Sequence, residues 1–114
     1  LHALVTMNET SFVEASRTLA QRALADKHLT GDRARIATVW RLATGRASKP
    51  AEMQALQRML EKLRAKFASD QTSAKQLLAV GGSPRDATLD AREHAAWASL
   101  CLTVLNLDEV LTKE

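Results

Sequence analysis

Apolar residues spaced alternately three and four apart constrain the fold of this chain more than any other feature. A helix of 3.6 residues per turn places such positions on one face. The stripe covers two heptads, which suits packing against an antiparallel neighbour but is too short for a free coiled coil. Pro50, whose fixed φ fits a first helical turn, precedes it. The pattern therefore predicts a helix buried along one side, with its apolar face formed by Met53, Leu56, Leu60, Leu63 and Phe67.

Two further helices are predicted before this seam. The first is capped by Asn8 or Thr10 and runs to about Asp26, because Asn and Thr side chains accept hydrogen bonds from the first turn of a helix. The second follows Gly31 and ends before Gly45, where a C-terminal glycine adopts positive φ. The first helix is expected to bury Phe12, Ser16, Leu19, Ala20, Ala23 and Leu24 and to expose Glu14, Arg17, Gln21 and Arg22; the second is expected to bury Ile36, Val39, Trp40 and Ala43.

Two more helices are predicted after the seam. Asp70 caps a short helix that ends at Gly81 and Gly82. Asp90 and Glu93 have the spacing of a capping box and open the last helix. Leu1, Leu4 and Val5 are helically spaced as well, and we expect them to be the last turns of a helix that begins before residue 1.

The last helix is apolar on nearly all of its faces, so we expect other helices to surround it. Alanine and leucine dominate the chain, with 20 and 17 copies, against seven valines plus isoleucines. Alanine and leucine favour helices, whereas the scarce β-branched residues favour strands. We therefore predict an all-α fold in a single domain spanning residues 1–114: a compact bundle of about five helices with the C-terminal helix central.

The net charge of +3 is unevenly distributed along the chain. Residues 1–68 carry 12 basic and six acidic groups, and residues 69–114 carry four and seven. Two interpretations remain open at this stage. The favoured interpretation is that the two parts complement each other within one fold, and the alternative is that the basic part contacts an anionic partner.

The sequence lacks the usual signatures of metal binding and nucleophilic catalysis. His2, His28 and His94 have no companion at metal-ligand spacing, and the single cysteine, Cys101, can form neither an intramolecular disulfide nor a Cys-x-x-Cys-His haem attachment site. We expect Cys101 to be a buried thiol. The longest uncharged stretch in the last helix has 13 residues, which is shorter than the roughly 20 needed to span a bilayer. No metal, cofactor or membrane span is predicted for this chain.

Asp108 stands near the end of the apolar last helix, where a carboxylate opposes the helix dipole. We therefore predict a structural ion pair between Asp108 and an arginine such as Arg41 or Arg46. A role for Asp108 as a catalytic acid is the alternative.

Arg58, Lys62 and Lys66 are spaced by four residues and form a candidate basic face on the third helix. A solvated helix face is the favoured interpretation. Phosphate binding is the alternative, but the face has no interleaved aromatic residues and no RNA-binding or helix-turn-helix signature. Nucleic acid is therefore not expected as a partner.

Four segments resemble a known family and occur in the same order. They are LVTMNETSFVEA at Leu4–Ala15, RLATGR at Arg41–Arg46, the Pro-Ala-Glu that begins at Pro50, and NLDEVLTKE at Asn106–Glu114. Together they resemble the C-terminal domain, of unknown function, of the planctomycete-type cytochrome-c-domain-containing proteins. The resemblance covers nearly the whole chain. Residues 7–10 depart from the family's usual opening, and Val110 stands where phenylalanine is usual.

The resemblance implies that the chain is the C-terminal piece of a large exported protein, periplasmic or in the cell envelope. Haem would be bound by a domain preceding this chain, and the upstream domains of the same polypeptide would be its partners. The resemblance supplies no catalytic residues. We therefore expect a noncatalytic packing or interaction module. The alternative is part of the active site of an exported enzyme acting on an extracellular polymer, with Asp108, Glu109 and the arginines of RLATGR contributing.

Overall fold

A computed structural model describes the backbone of residues 9–81 and 84–112, and the side chains of residues 10–81 and 84–107. All regular structure in this part of the chain is helical, so the all-α prediction is confirmed. Leu1, Leu4 and Val5 lie outside the described residues. The five helices are α1 (Glu9–Ala25), α2 (Asp32–Thr44), α3 (Pro50–Ser69), α4 (Gln71–Leu78) and α5 (Ala91–Thr112).

Local signals end α2 and begin α4 where the sequence predicts. Gly45 has φ of 77°, and its N–H donates to the carbonyl of Arg41 over 2.8 Å. This left-handed conformation is easy for glycine and strained for other residues. The carboxylate of Asp70 accepts hydrogen bonds from the N–H of Ser73 over 3.0 Å and from its hydroxyl over 2.7 Å. The turn and cap chemistry therefore sets these boundaries.

The start of α5 forms only one half of the predicted capping box. The Asp90 carboxylate accepts a hydrogen bond from the N–H of Glu93 over 3.0 Å. The Glu93 side chain does not return to the cap, because it binds Arg64 and Trp97. The hydrogen bond between Glu93 and Arg64 on α3 thus takes the place of the hydrogen bond that Glu93 would make to the backbone of Asp90 in a full capping box.

Helix α5 lies at the centre of the bundle and contacts each of the other four helices, which confirms the predicted arrangement. Its middle is sealed from solvent over seven residues, all with 0% exposure: Ala95, Ala96, Trp97, Ala98, Leu100, Cys101 and Val104. No helix in the described part of the chain is long and apolar enough to cross a membrane.

The outer helices bury most of their predicted stripes at least partly, but of the four outer positions predicted on α1, Arg17 is buried and Glu14 and Gln21 are half-buried. On α3, Leu63 is partly buried and the other four positions of the seam are buried. On α1, however, Arg17 is only 3% exposed, although its spacing predicts an outer position. Because α5 is apolar all round, α1 presses a wider arc against it than a single stripe, and that arc includes Arg17. Phe12 lies near the margin of this arc and is half-buried.

Candidate functional site

Of the predicted ion-pair residues, the structure places Arg46 beside a different carboxylate, that of Glu52. The guanidinium donates two hydrogen bonds to Glu52, from Nη1 to Oε1 over 3.2 Å and from Nη2 to Oε2 over 3.1 Å. It also stacks 4.9 Å from the ring centroid of the buried Trp40. Arg41 is exposed near the end of α2. The Asp108 side chain lies outside the described residues, so its ion pair stays a prediction.

Glu52 ties the connection between α2 and α3 to the first turn of α3. Its Oε1 accepts the Lys49 backbone N–H over 2.8 Å, and Arg46 holds the same carboxylate. The hydrogen bonds from Arg46, then that from Lys49, lower the pKa of Glu52. Arg46, the last residue of the RLATGR segment, therefore helps to hold the connection between α2 and α3 in place.

The candidate basic face lies where the sequence places it, on the solvent side of α3. Arg58, Lys62 and Lys66 are all exposed, one turn apart. The Lys66 ammonium is 5.3 Å from the ring centroid of the neighbouring Phe67. Within the described part of the chain, Arg58 and Lys62 form no ion pair. Two of the three cations of the face are therefore not neutralised by an ion pair among the described residues.

Arg64, on the same helix, forms a cluster that sequence reasoning missed. Its guanidinium donates to Asp32 from Nη1 over 2.7 Å and from Nη2 over 3.0 Å. Its Nε donates to the Glu93 carboxylate over 3.0 and 3.1 Å. The Trp97 indole N–H donates to the same carboxylate over 3.0 Å. One arginine therefore joins α3 to the first turns of α2 and α5.

The electrostatics of this cluster follow from the hydrogen bonds. Those from Arg64 lower the pKa of Asp32, and the two carboxylates raise the pKa of Arg64. The only available sequence signal was the presence of Asp32 and Glu93 in first turns, where a helix dipole favours carboxylates. Nothing in the spacing pointed to Arg64, because its partners are 32 and 29 residues away.

His94 makes a second contact that the sequence did not predict. The ring is fully buried, and its Nε2 lies 3.0 Å from the main-chain carbonyl of Arg17, to which it can only donate. Burial lowers the pKa of His94, and the nearby charges of Arg85 and Arg17 lower it further. The neutral imidazole therefore fastens α5 to α1.

Neither the histidines nor the cysteine assemble with other ligands in the described region. No group of three or more His, Cys, Asp or Glu residues there is arranged to hold a metal ion. Cys101 is buried as predicted, and burial raises the pKa of its thiol.

Comparison with known proteins identifies the chain only at the level of a family. No curated protein matches it, and no solved structure matches it. A protein-family profile does match residues 1–60, which is more than half of the chain. This segment includes α1, α2 and the first half of α3. The chain therefore belongs to the family described as PSD1, Protein of unknown function (DUF1553).

Proposed function

We propose that the chain is a noncatalytic helical module that packs against other parts of a larger polypeptide. The observation that carries this proposal is apolar surface left outside the core. Leu42 on α2 and Leu107 on α5 are 45% and 44% exposed. Single exposed leucines are common, so the proposal also draws on a concave face on α1.

Small side chains make up half of the lining of the concave face on α1. It is lined by Ser11, Glu14, Ala15, Thr18, Leu19 and Arg22. Small residues allow the axis of a second helix to approach at the short end of the usual range of about 8–10 Å. The face lies within the family-matched segment. It is therefore suited to helix-against-helix packing.

The wider setting of the module is part of the same proposal and is supported by the sequence resemblance. The parent protein would be large and exported, periplasmic or in the cell envelope. Its haem would be bound by a domain preceding this chain. The preceding part of the parent polypeptide would be the partner that covers α1.

The proposal is tested by adding the preceding part of the parent polypeptide, produced separately, to this chain. We expect binding by isothermal titration calorimetry and slower hydrogen exchange along α1. The double variant A15E/T18E should weaken binding at least tenfold, because two charges would be buried in the packed face. The matched control is Q71E/T72E, which adds the same charge at exposed positions of α4.

Two outcomes would refute the packing proposal. One is the absence of binding by the unaltered chain. The other is equal binding by A15E/T18E and Q71E/T72E when both fold with the helical circular dichroism of the unaltered chain.

A further inference from the structure

Positive charge is concentrated in one continuous segment of the sequence, residues 32–69, which we call the α2–α3 unit. It contains nine basic and three acidic residues, a net charge of +6. The whole chain carries only +3, so the remaining residues together carry −3. The sequence leaves open whether the fold uses the acidic remainder to neutralise this excess.

The fold neutralises only part of the excess within the described residues. Two of the unit's three acidic residues are committed to its own arginines, Asp32 to Arg64 and Glu52 to Arg46. Glu93 joins the acidic remainder to the unit, and it binds the same Arg64. Among the described residues, the ion pairs of the unit therefore involve two of its arginines, Arg46 and Arg64.

Six of the other seven cations of the unit are exposed, and the seventh, Arg35, is half-buried. Arg33 and Arg41 are eight residues apart on α2, and the basic face continues the pattern on α3. Within the described residues, Arg33, Arg41, Arg58 and Lys62 take part in no ion pair. Like charges one turn apart on a helix repel each other. An anionic partner would relieve this repulsion.

We propose that the exposed cations of the α2–α3 unit dock an acidic protein surface. This inference rests on the proposed packing function and specifies the chemistry of the partner: a surface rich in Asp and Glu on the preceding part of the parent polypeptide. Charge complementarity of this kind speeds encounter and selects the partner.

Two observations favour a protein surface over a nucleic acid. Leu42, which follows Arg41 in the sequence, is 45% exposed and available for an apolar contact with a protein. The aromatic side chains are not exposed: Trp40, Phe67 and Trp97 are buried, and Phe12 is half-buried. Single-stranded nucleic acids bind through exposed aromatic stacking platforms, which these residues do not form.

The test uses the full chain and two charge-reversal variants with the same net charge. R58E/K62E/K66E reverses the basic face. K27E/K75E/R92E reverses three cations that are equally exposed but lie outside the α2–α3 unit. Both variants change the net charge from +3 to −3, so any difference between them reports position rather than total charge. Circular dichroism and thermal melting verify that both fold.

Each protein is titrated with three probes at about 50 and 150 mM salt: the preceding part of the parent polypeptide, poly-L-glutamate and duplex DNA. The unaltered chain should bind the first two, more weakly at the higher salt because exposed charges are screened. R58E/K62E/K66E should lose about tenfold or more in affinity, since three attractive charge pairs become repulsive. K27E/K75E/R92E should stay within about threefold of the unaltered chain, because its substitutions lie outside the contact.

Failure of this inference is distinguishable from failure of the packing proposal. If the preceding segment binds R58E/K62E/K66E as tightly as it binds the unaltered chain, the acidic-surface inference is wrong and the packing proposal stands. If the segment does not bind at all, the packing proposal fails, and poly-L-glutamate alone decides whether the basic face takes an acidic chain. Tighter binding of DNA than of both acidic probes at 150 mM salt would overturn the inference in favour of a nucleic acid.

Discussion

At the scale of single residues, the Arg64 side chain connects three helices, α2, α3 and α5. Planar recognition by a guanidinium allows it to hold two carboxylates at once, which a lysine could not reproduce. Both carboxylates lie in first turns of helices, where the dipole already favours negative charge. Arg64 thus adds a tertiary connection to two residues that suit their local positions.

We expect R64M to lower the free energy of unfolding by about 1–2 kcal/mol. Hydrogen bonds to charged groups contribute about 1.5–3 kcal/mol, but the Arg64 side chain is 34% exposed, and solvent screening reduces its share. Urea unfolding followed by circular dichroism measures the change. The control K62M replaces an exposed cation on the same helix and should stay within about 0.5 kcal/mol. Equal effects of the two substitutions would contradict a special role for Arg64.

At the scale of helices, α1 and α5 contact each other, and both contain buried alanines. Ala20 and Ala23 on α1 and Ala95, Ala96 and Ala98 on α5 are at most 1% exposed. Small side chains at such a contact bring the helix backbones close together, and protein interiors leave few voids for a larger residue. The high alanine content is therefore a packing requirement in this region as well as a helix preference.

We expect A98L to destabilise the fold by about 1–3 kcal/mol, because additional methylene groups in a filled core force neighbouring side chains or backbones apart. The matched control is A65L on the exposed side of α3. Alanine and leucine have similar helix propensities, so A65L should change stability by less than about 0.5 kcal/mol. Thermal and urea unfolding measure both. A98L as stable as A65L would show that the contact has spare volume.

At the scale of the whole molecule, His94 couples the central helix to α1 and to the loop before α5. Its Nε2 contacts the Arg17 carbonyl, and the charged groups that face it are Arg17, Arg85 and Asp86. Asp86 is itself joined to α1, because its N–H donates to the Gln21 side chain over 2.9 Å. Protonation of one buried ring therefore affects the contact between three segments.

Stability should decrease as the pH falls from about 7 to 5. Burial sets the folded pKa of His94 below the ordinary value of 6.5. The unfolded chain therefore binds a proton first, and protonation favours unfolding below pH 6.5. H94Q should reduce the slope of unfolding free energy against pH in this window. H28Q, which replaces an exposed histidine, should retain it. An unchanged slope in H94Q would contradict the coupling.

Much of the fold could be predicted from the sequence because its determinants are local. The 3.6-residue period identified the α3 seam and the buried faces, and Gly45, Asp70 and Asp90 marked helix boundaries through turn and cap chemistry. The absence of a polar face along much of the last helix was enough to place it at the centre. Each of these features depends on residues within a few positions of one another.

The contacts between helices could not be predicted in the same way. Arg64 finds its partners through the packing of three helices, and Arg17 is buried where His94 of α5 contacts its main-chain carbonyl. Sequence spacing cannot rank one carboxylate above another for Arg46, and the fold assigns Glu52.

The sequence by itself determined the helical class, the helix boundaries and the excess of positive charge in residues 32–69. Only the tertiary structure decided which of those charges are neutralised and which face solvent. The physical reason is the distance along the chain over which each interaction acts. Helix formation and capping act within a few residues, whereas ion pairs and burial depend on which helix faces come together. Among the described residues, Arg33, Arg41, Arg58 and Lys62 are exposed cations of the α2–α3 unit that form no ion pair.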